Sequence, residues 1–121
     1  MKRILVIDDD EDLREMILLI LLAAGFEVQP ARDGADGLAR MRESRFDLMI
    51  TDIFMPDQDG IETIAEVRQA FPDVKIVAMS GGGKSSRAAG YLRTAMEIGA
   101  DATLSKPFEQ DDLLAIVRRL V

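Results

Sequence analysis

The stretch ILVIDDD, at residues 4–10, begins with four apolar residues and then stops abruptly at acidic side chains. Three later runs also end at a polar residue: FDLMIT (46–51) precedes Asp52, VKIVAM (74–79) precedes Ser80, and ATLS (102–105) precedes Lys106. Short apolar runs of this kind are typical of strands buried on both faces of a parallel sheet. Because parallel strands end at one edge, which is where open α/β sheets bind ligands, these polar groups should converge. Carboxylates, a hydroxyl and an ammonium together indicate a site for a divalent metal and a phosphoryl group.

Apolar runs alternate with helical segments along the whole chain. We predict strands at 4–7, 27–31, 46–51, 74–79 and 101–105, and helices at 11–24, 34–44, 61–71, 85–98 and 109–120. This alternation predicts βα units and a mostly parallel sheet. The run 27–31 contains Pro30, which cannot donate to a strand ladder, so this strand should lie at an edge. We expect one domain over residues 1–121.

The composition excludes several classes of function. The chain of 121 residues is 48% apolar and 31% charged, and its net charge is −7. An excess of acid argues against direct binding of nucleic acid, which needs clustered Lys and Arg. The chain has no Cys and no His, which excludes thiol chemistry, His-ligated zinc and any His-based triad. It also means that the chain cannot carry a phosphohistidine itself.

The sequence shows no sign of export or of membrane insertion. Lys2 and Arg3 precede only four apolar residues before the acidic stretch, so we expect no signal peptide. The apolar stretch 16–26 is too short to span a bilayer. Together with the absence of cysteine, this favours a cytoplasmic protein that does not bind a membrane.

The acidic residues divide into two groups. Asp8, Asp9 and Asp52 should lie close together at strand ends, where their mutual repulsion favours a bound cation, and Mg²⁺ is the usual one for such carboxylates. The alternative is that the acidic stretch only caps the first helix, which we prefer for residues 10–12. For Asp8 and Asp9 alone the two interpretations are balanced. Asp52 favours the metal site, because it ends an apolar strand and has no capping role.

Ser80 and Lys106 complete the candidate site. Ser80 opens the run SGGG, whose glycines allow the backbone to approach a ligand closely, although a plain flexible loop would have the same composition. Lys106 carries a compact charge that can reach a phosphate oxygen. A lone lysine is usually a solvated surface residue, but the context SKPF and the other strand ends favour a functional one.

These motifs resemble those of the receiver domain of bacterial two-component response regulators, over the whole length of the chain. The matching segments are ILVIDDD, DLMITDIFMPDQDG, KIVAMSGG and LSKPF, in that order. The resemblance implies a flavodoxin-like, doubly wound sheet of five parallel strands in the order 2-1-3-4-5, with helices on both faces. That order places strand 2 at an edge, in agreement with Pro30.

The resemblance also implies a role for each site residue. Asp52 would be the phosphoacceptor, taking a phosphoryl group from a phosphohistidine of a histidine kinase or histidine phosphotransfer protein. Asp9 and, through water, Asp8 would bind Mg²⁺, with the backbone carbonyl of Phe54 as a further ligand. Ser80 and Lys106 would contact the phosphoryl group. The Lys106–Pro107 bond would be cis.

Two departures from the family pattern bear on the output of the switch. The family usually has Tyr or Phe three residues before the lysine, whereas this chain has Thr103. The segment between Ser80 and Lys106 also looks longer than is common. We therefore expect the conformational switch, which signals to an unknown downstream protein, to lie in the 81–91 loop and the start of helix 4.

The first helix carries more apolar residues than one core face requires. The face with Leu13, Ile17, Ile20, Leu21 and Ala24 should be core, which leaves Leu18 and Leu22 over. Scattered surface leucines are normal, but in the family this helix meets the kinase or phosphotransfer protein, and we favour docking.

Two other classes of function compete with a phospho-accepting switch. A metal-dependent phosphohydrolase would use Asp52 as nucleophile, but it would need a second acid nearby, and the residue two positions later is Phe54. A pseudo-receiver, which only binds partners, is disfavoured by the intact set Asp8, Asp9, Asp52, Ser80 and Lys106. We therefore expect a signalling protein and not an enzyme, with at most slow self-phosphorylation and autodephosphorylation.

Overall fold

A computed structural model of the protein describes residues 1–53, 60–81 and 86–121. Five strands alternate with five helices in this part of the chain. The strands are β1 (Arg3–Ile7), β2 (Glu27–Ala31), β3 (Leu48–Asp52), β4 (Lys75–Ser80) and β5 (Ala102–Ser105). The helices are α1 (Glu11–Ala23), α2 (Gly34–Glu43), α3 (Gly60–Ala70), α4 (Ser86–Ile98) and α5 (Gln110–Leu120). The predicted elements are all present, and their ends match the prediction or differ from it by one or two residues.

The strands form one parallel sheet in the order β2-β1-β3-β4-β5, which confirms the predicted topology. Pro30 lies on β2 at an edge of the sheet, opposite Val6 of β1. The central strand β3 is buried at every position, as its apolar sequence predicts. Its neighbours β1 and β4 end beside it, so residues 8, 52 and 80 come together at the carboxyl ends of these three strands.

Helices cover both faces of the sheet. On one face, α1 and α5 pack on Ile4, Val6 and Ile50 through buried residues of their own, among them Ile17 and Leu113. On the other face, α2, α3 and α4 pack on a second set of strand residues: Leu5, Ile7, Met49, Ile76 and Ala78. The strand side chains alternate between the two clusters, as the two-residue period of a strand requires.

Two helices are followed by glycines with positive φ. Gly25 follows α1 with φ of 95°, and Gly99 follows α4 with φ of 133°. Only glycine adopts this left-handed region without strain, so both positions suit a helix terminus. The Lys106–Pro107 peptide bond is cis. In the described part of the chain, the helices lack the length and apolar character that crossing a membrane requires.

The segment 81–91, expected to be a loop that leads into helix 4, is mostly helical where it is described. α4 begins at Ser86, so residues 86–91 belong to its first turns. Residues 82–85 lie outside the described residues. A rearrangement of residues 86–91 would therefore involve the first turns of α4 itself.

Candidate functional site

Asp8 is a fully buried carboxylate at the end of β1. Its Oδ1 accepts the backbone N–H of Asp10 at 2.9 Å, and its Oδ2 accepts a hydrogen bond from the Lys106 Nζ at 3.1 Å. Asp10 in turn caps α1, where its Oδ1 accepts the N–H groups of Asp12 and Leu13. The acidic stretch therefore divides as predicted, since Asp10 caps the helix while Asp8 faces the sheet edge.

Asp9 and Asp52 complete an acidic cluster with Asp8. One carboxylate oxygen from each of the three residues lies within 4.8 Å of the other two. Asp9 is exposed, whereas Asp52 is 5% exposed at the end of β3. Oxygen-only ligands that combine buried and exposed carboxylates suit a hard cation that keeps some of its water, so this donor set fits Mg²⁺.

Lys106 brings a positive charge to the cluster. Its Nζ lies 3.1 Å from Asp8 Oδ2 and 3.4 Å from Asp52 Oδ1, so the ammonium bridges the ends of β1 and β3. The lysine side chain is 19% exposed and crosses the end of β4 to reach them. The backbone N–H of Lys106 donates to the carbonyl of Ser80 at 2.7 Å, and this bond holds the backbone from which the lysine side chain extends.

Ser80 lies at the same edge, at the end of β4. It is fully buried, and its hydroxyl donates to the carbonyl of Gly81 at 3.2 Å. The structure thus brings Asp8, Asp9 and Asp52 together, pairs Lys106 with Asp8 and Asp52, and puts Ser80 at the end of the adjoining strand. The remaining candidate, the carbonyl of Phe54, lies outside the described residues.

Two residues near the cluster were not anticipated from the sequence. The Arg14 guanidinium donates to the backbone carbonyl of Asp8 at 2.7 Å, which ties α1 to the turn that carries the acids. Gly60, the first residue of α3, approaches so closely that a Cβ there would collide with the carbonyl oxygen of Asp52 and the Cα of Ile53. The glycine in the sequence DQDG was the available signal, whereas the arginine resembles any surface residue of a helix.

The exposed apolar residues of α1 differ from those predicted. The core face is as expected, with Ile17 and Leu21 buried and Leu13, Ile20 and Ala24 packed against the same cluster. Leu22 is exposed, but Leu18 is half-buried. The exposed large apolar residues of α1 are Met16 at 43%, Leu19 at 57% and Leu22 at 48%. These three residues, spaced three apart, form one stripe, which we call the α1 stripe.

Comparison with known proteins agrees with this architecture. The family model described as "Response regulator receiver domain" matches residues 4–118. The chain therefore belongs to the response regulator receiver domain family. The fold, the strand order and the acidic cluster agree with this membership.

Known relatives include both short and long regulators. The response regulator receiver protein CpdR of Brucella abortus is 37% identical over the whole of this chain and 98% of its own length. The transcriptional regulatory protein CpxR of Klebsiella pneumoniae is 36% identical, but the match covers 50% of that protein. The chain spans about half the length of several other curated relatives as well.

The solved structure of the response regulator TrrA of Thermotoga maritima, in complex with Mg²⁺ and BeF, superposes with a TM-score of 0.87. It is 33% identical, and the match covers 100% of both chains.

Proposed function

We propose that this receiver takes a phosphoryl group onto Asp52 from a phosphohistidine of a histidine kinase or a histidine phosphotransfer protein. The observation that carries the proposal is the meeting of the Lys106 ammonium with the carboxylates of Asp8 and Asp52 at one sheet edge. A carboxylate oxygen of Asp52 attacks phosphorus and forms a P–O bond. The P–N bond of the donor breaks, and the imidazole leaves with its electron pair and takes up a proton.

The neighbouring residues would support this transfer. Asp9, Asp8 and Asp52, with the backbone carbonyl of Phe54, would hold Mg²⁺, which when bound neutralises charge on the phosphoryl oxygens. Lys106 already lies 3.4 Å from Asp52 and would pair with an oxygen of the transferred group. Ser80 would donate its hydroxyl to another oxygen, which requires it to give up its bond to the carbonyl of Gly81.

The phosphoryl group would stay on the protein as an acyl phosphate, whose effect is a change of conformation. Phosphorylation would replace the single negative charge of Asp52 with a phosphoryl group that carries about −1.5 to −2. The protein would respond in the 81–91 region at the start of α4. The α1 stripe would dock the phosphodonor protein, and an unidentified protein would read the switched state. We further propose that the whole of residues 1–121 acts as one receiver domain in the cytoplasm.

Intact mass after incubation with acetyl phosphate tests the acceptor. In Mg²⁺ the protein should gain one phosphoryl group per chain, and it should gain none in EDTA. Asp52→Asn should not be phosphorylated, while its circular dichroism matches that of the wild type. A phosphohydrolase would instead consume acetyl phosphate over many turnovers. A pseudo-receiver would stay unmodified, and either result would refute the proposal.

A further inference from the structure

Arg68 of α3 forms a cluster of hydrogen bonds at the sheet edge opposite to the acidic site. Its Nε and Nη2 both donate to the carbonyl of Gly99, at 3.0 and 2.6 Å, just beyond the end of α4. Its Nη1 donates to the carbonyls of Pro72 and Val74, at 2.9 and 3.0 Å. Nη2 also donates to Asp101 Oδ2 at 2.8 Å. A guanidinium has five N–H donors, so this side chain uses its full capacity.

The acceptors of Arg68 are themselves held in place. Asp101 Oδ2 also accepts the backbone N–H of Ile76, and the Asp101 N–H donates to the carbonyl of Ile76 at 2.7 Å. Gly99 packs directly on the arginine, because a Cβ at Gly99 would lie 2.8 Å from Arg68 Cγ. The group of Arg68, Gly99 and Asp101, which we call the Arg68 clamp, therefore joins α3, the end of α4 and the starts of β4 and β5.

The start of α4 is close in sequence to the candidate phosphorylation site. α4 begins at Ser86, a few residues after Ser80 and Gly81 at the candidate phosphorylation site. The clamp lies at its other end, about 20 Å away for a helix of 13 residues. A change at Ser80 would therefore reach the start of α4 first, while the clamped end resists displacement.

We infer that the Arg68 clamp is the fixed pivot of α4, so that the switch moves the start of the helix and leaves its end in place. The inference rests on the proposed phosphorylation of Asp52. A tilt of about 10° around the pivot would move the start of α4 by about 3 Å, given a rise of 1.5 Å per residue. Motion of that kind needs no rotating aromatic ring on β5, where this chain has Thr103.

Amide chemical shifts of the wild type, with and without Mg²⁺ and beryllofluoride, test the direction of the movement. The largest changes should lie at the site and at 86–90, and residues 96–101 should stay within error. Changes at 96–101 as large as those at 86–90 would overturn the pivot. If even the site residues around Asp52 do not respond, the proposed function has failed, and the ligand-free measurement below decides the clamp on its own.

Hydrogen exchange of the ligand-free protein tests the clamp itself. Arg68→Lys keeps the charge but cannot span the four acceptors, so the amides of Ile76 and Asp101 should exchange at least about threefold faster. Arg40→Lys is the matched control, because it makes the same substitution at an arginine whose ion pair, with Asp36, lies within its own helix α2. Unchanged exchange at both amides in Arg68→Lys would overturn the inference, as would equal acceleration in the control.

Discussion

Replacing Lys106 with Met tests how the acidic site is held together before any metal binds. Its Nζ lies 3.1 Å from Asp8 Oδ2 and 3.4 Å from Asp52 Oδ1. At an effective dielectric constant of about 20, each contact represents about 5 kcal/mol of gross attraction. Desolvation offsets most of it, and removing one partner of a buried pair typically costs about 3–5 kcal/mol.

We expect a smaller loss for this variant, because the lysine side chain is 19% exposed and water can approach the carboxylates. In EDTA, Lys106→Met should therefore unfold with a free energy about 2–3 kcal/mol below that of the wild type. Mg²⁺ should reduce this gap, because the ammonium no longer competes for the carboxylates. A tenfold gain in Mg²⁺ affinity would return about 1.4 kcal/mol at saturation.

Urea unfolding followed by circular dichroism, in EDTA and in Mg²⁺, measures both quantities. Lys75→Met provides the control, since Lys75 is an exposed lysine at the start of β4, and it should change stability by less than about 0.5 kcal/mol. The reasoning is refuted if Lys106→Met is as stable as the wild type in EDTA, or if Mg²⁺ stabilises the wild type more than the variant.

Three further predictions concern the lifetime of the phosphoryl group, docking and the close approach at α3. Phe54 has no polar group to orient a water molecule, so the acyl phosphate should be long-lived, and the Phe54→Asn variant should lose its phosphoryl group faster. Intact mass followed over time measures both rates of loss, and equal rates in the wild type and the variant would contradict this. Leu19→Glu and Leu22→Glu should slow phosphotransfer from the donor protein at least about tenfold by disrupting the α1 stripe, yet leave modification by acetyl phosphate unchanged. Gly60→Ala should lower the unfolding free energy by about 1–3 kcal/mol, because the added Cβ would collide with the carbonyl of Asp52. A urea midpoint of the variant equal to that of the wild type would contradict this.

Local pattern was enough to predict the architecture. Short apolar runs and Pro30 depend on backbone chemistry and on the two-residue period of a strand, which act over a few residues. They predicted the five βα units, and the placement of β2 at an edge, that the structure contains. The polar residues that end four of the runs predicted the convergence of Asp8, Asp52, Ser80 and Lys106, and the family motifs supplied the strand order.

Contacts between distant segments could be found only in the tertiary structure. The Arg68 clamp joins residues 31 and 33 positions apart, and Lys106 reaches Asp8 across 98 positions. The sequence placed Lys106 at the site but did not predict its ion pair with Asp8, and no local rule distinguishes Arg68 from an ordinary surface arginine. The partners of both side chains are set by the packing of whole elements. The same reason explains α1, where sequence periodicity predicted the core face but packing against neighbouring elements left Leu19 exposed and Leu18 half-buried.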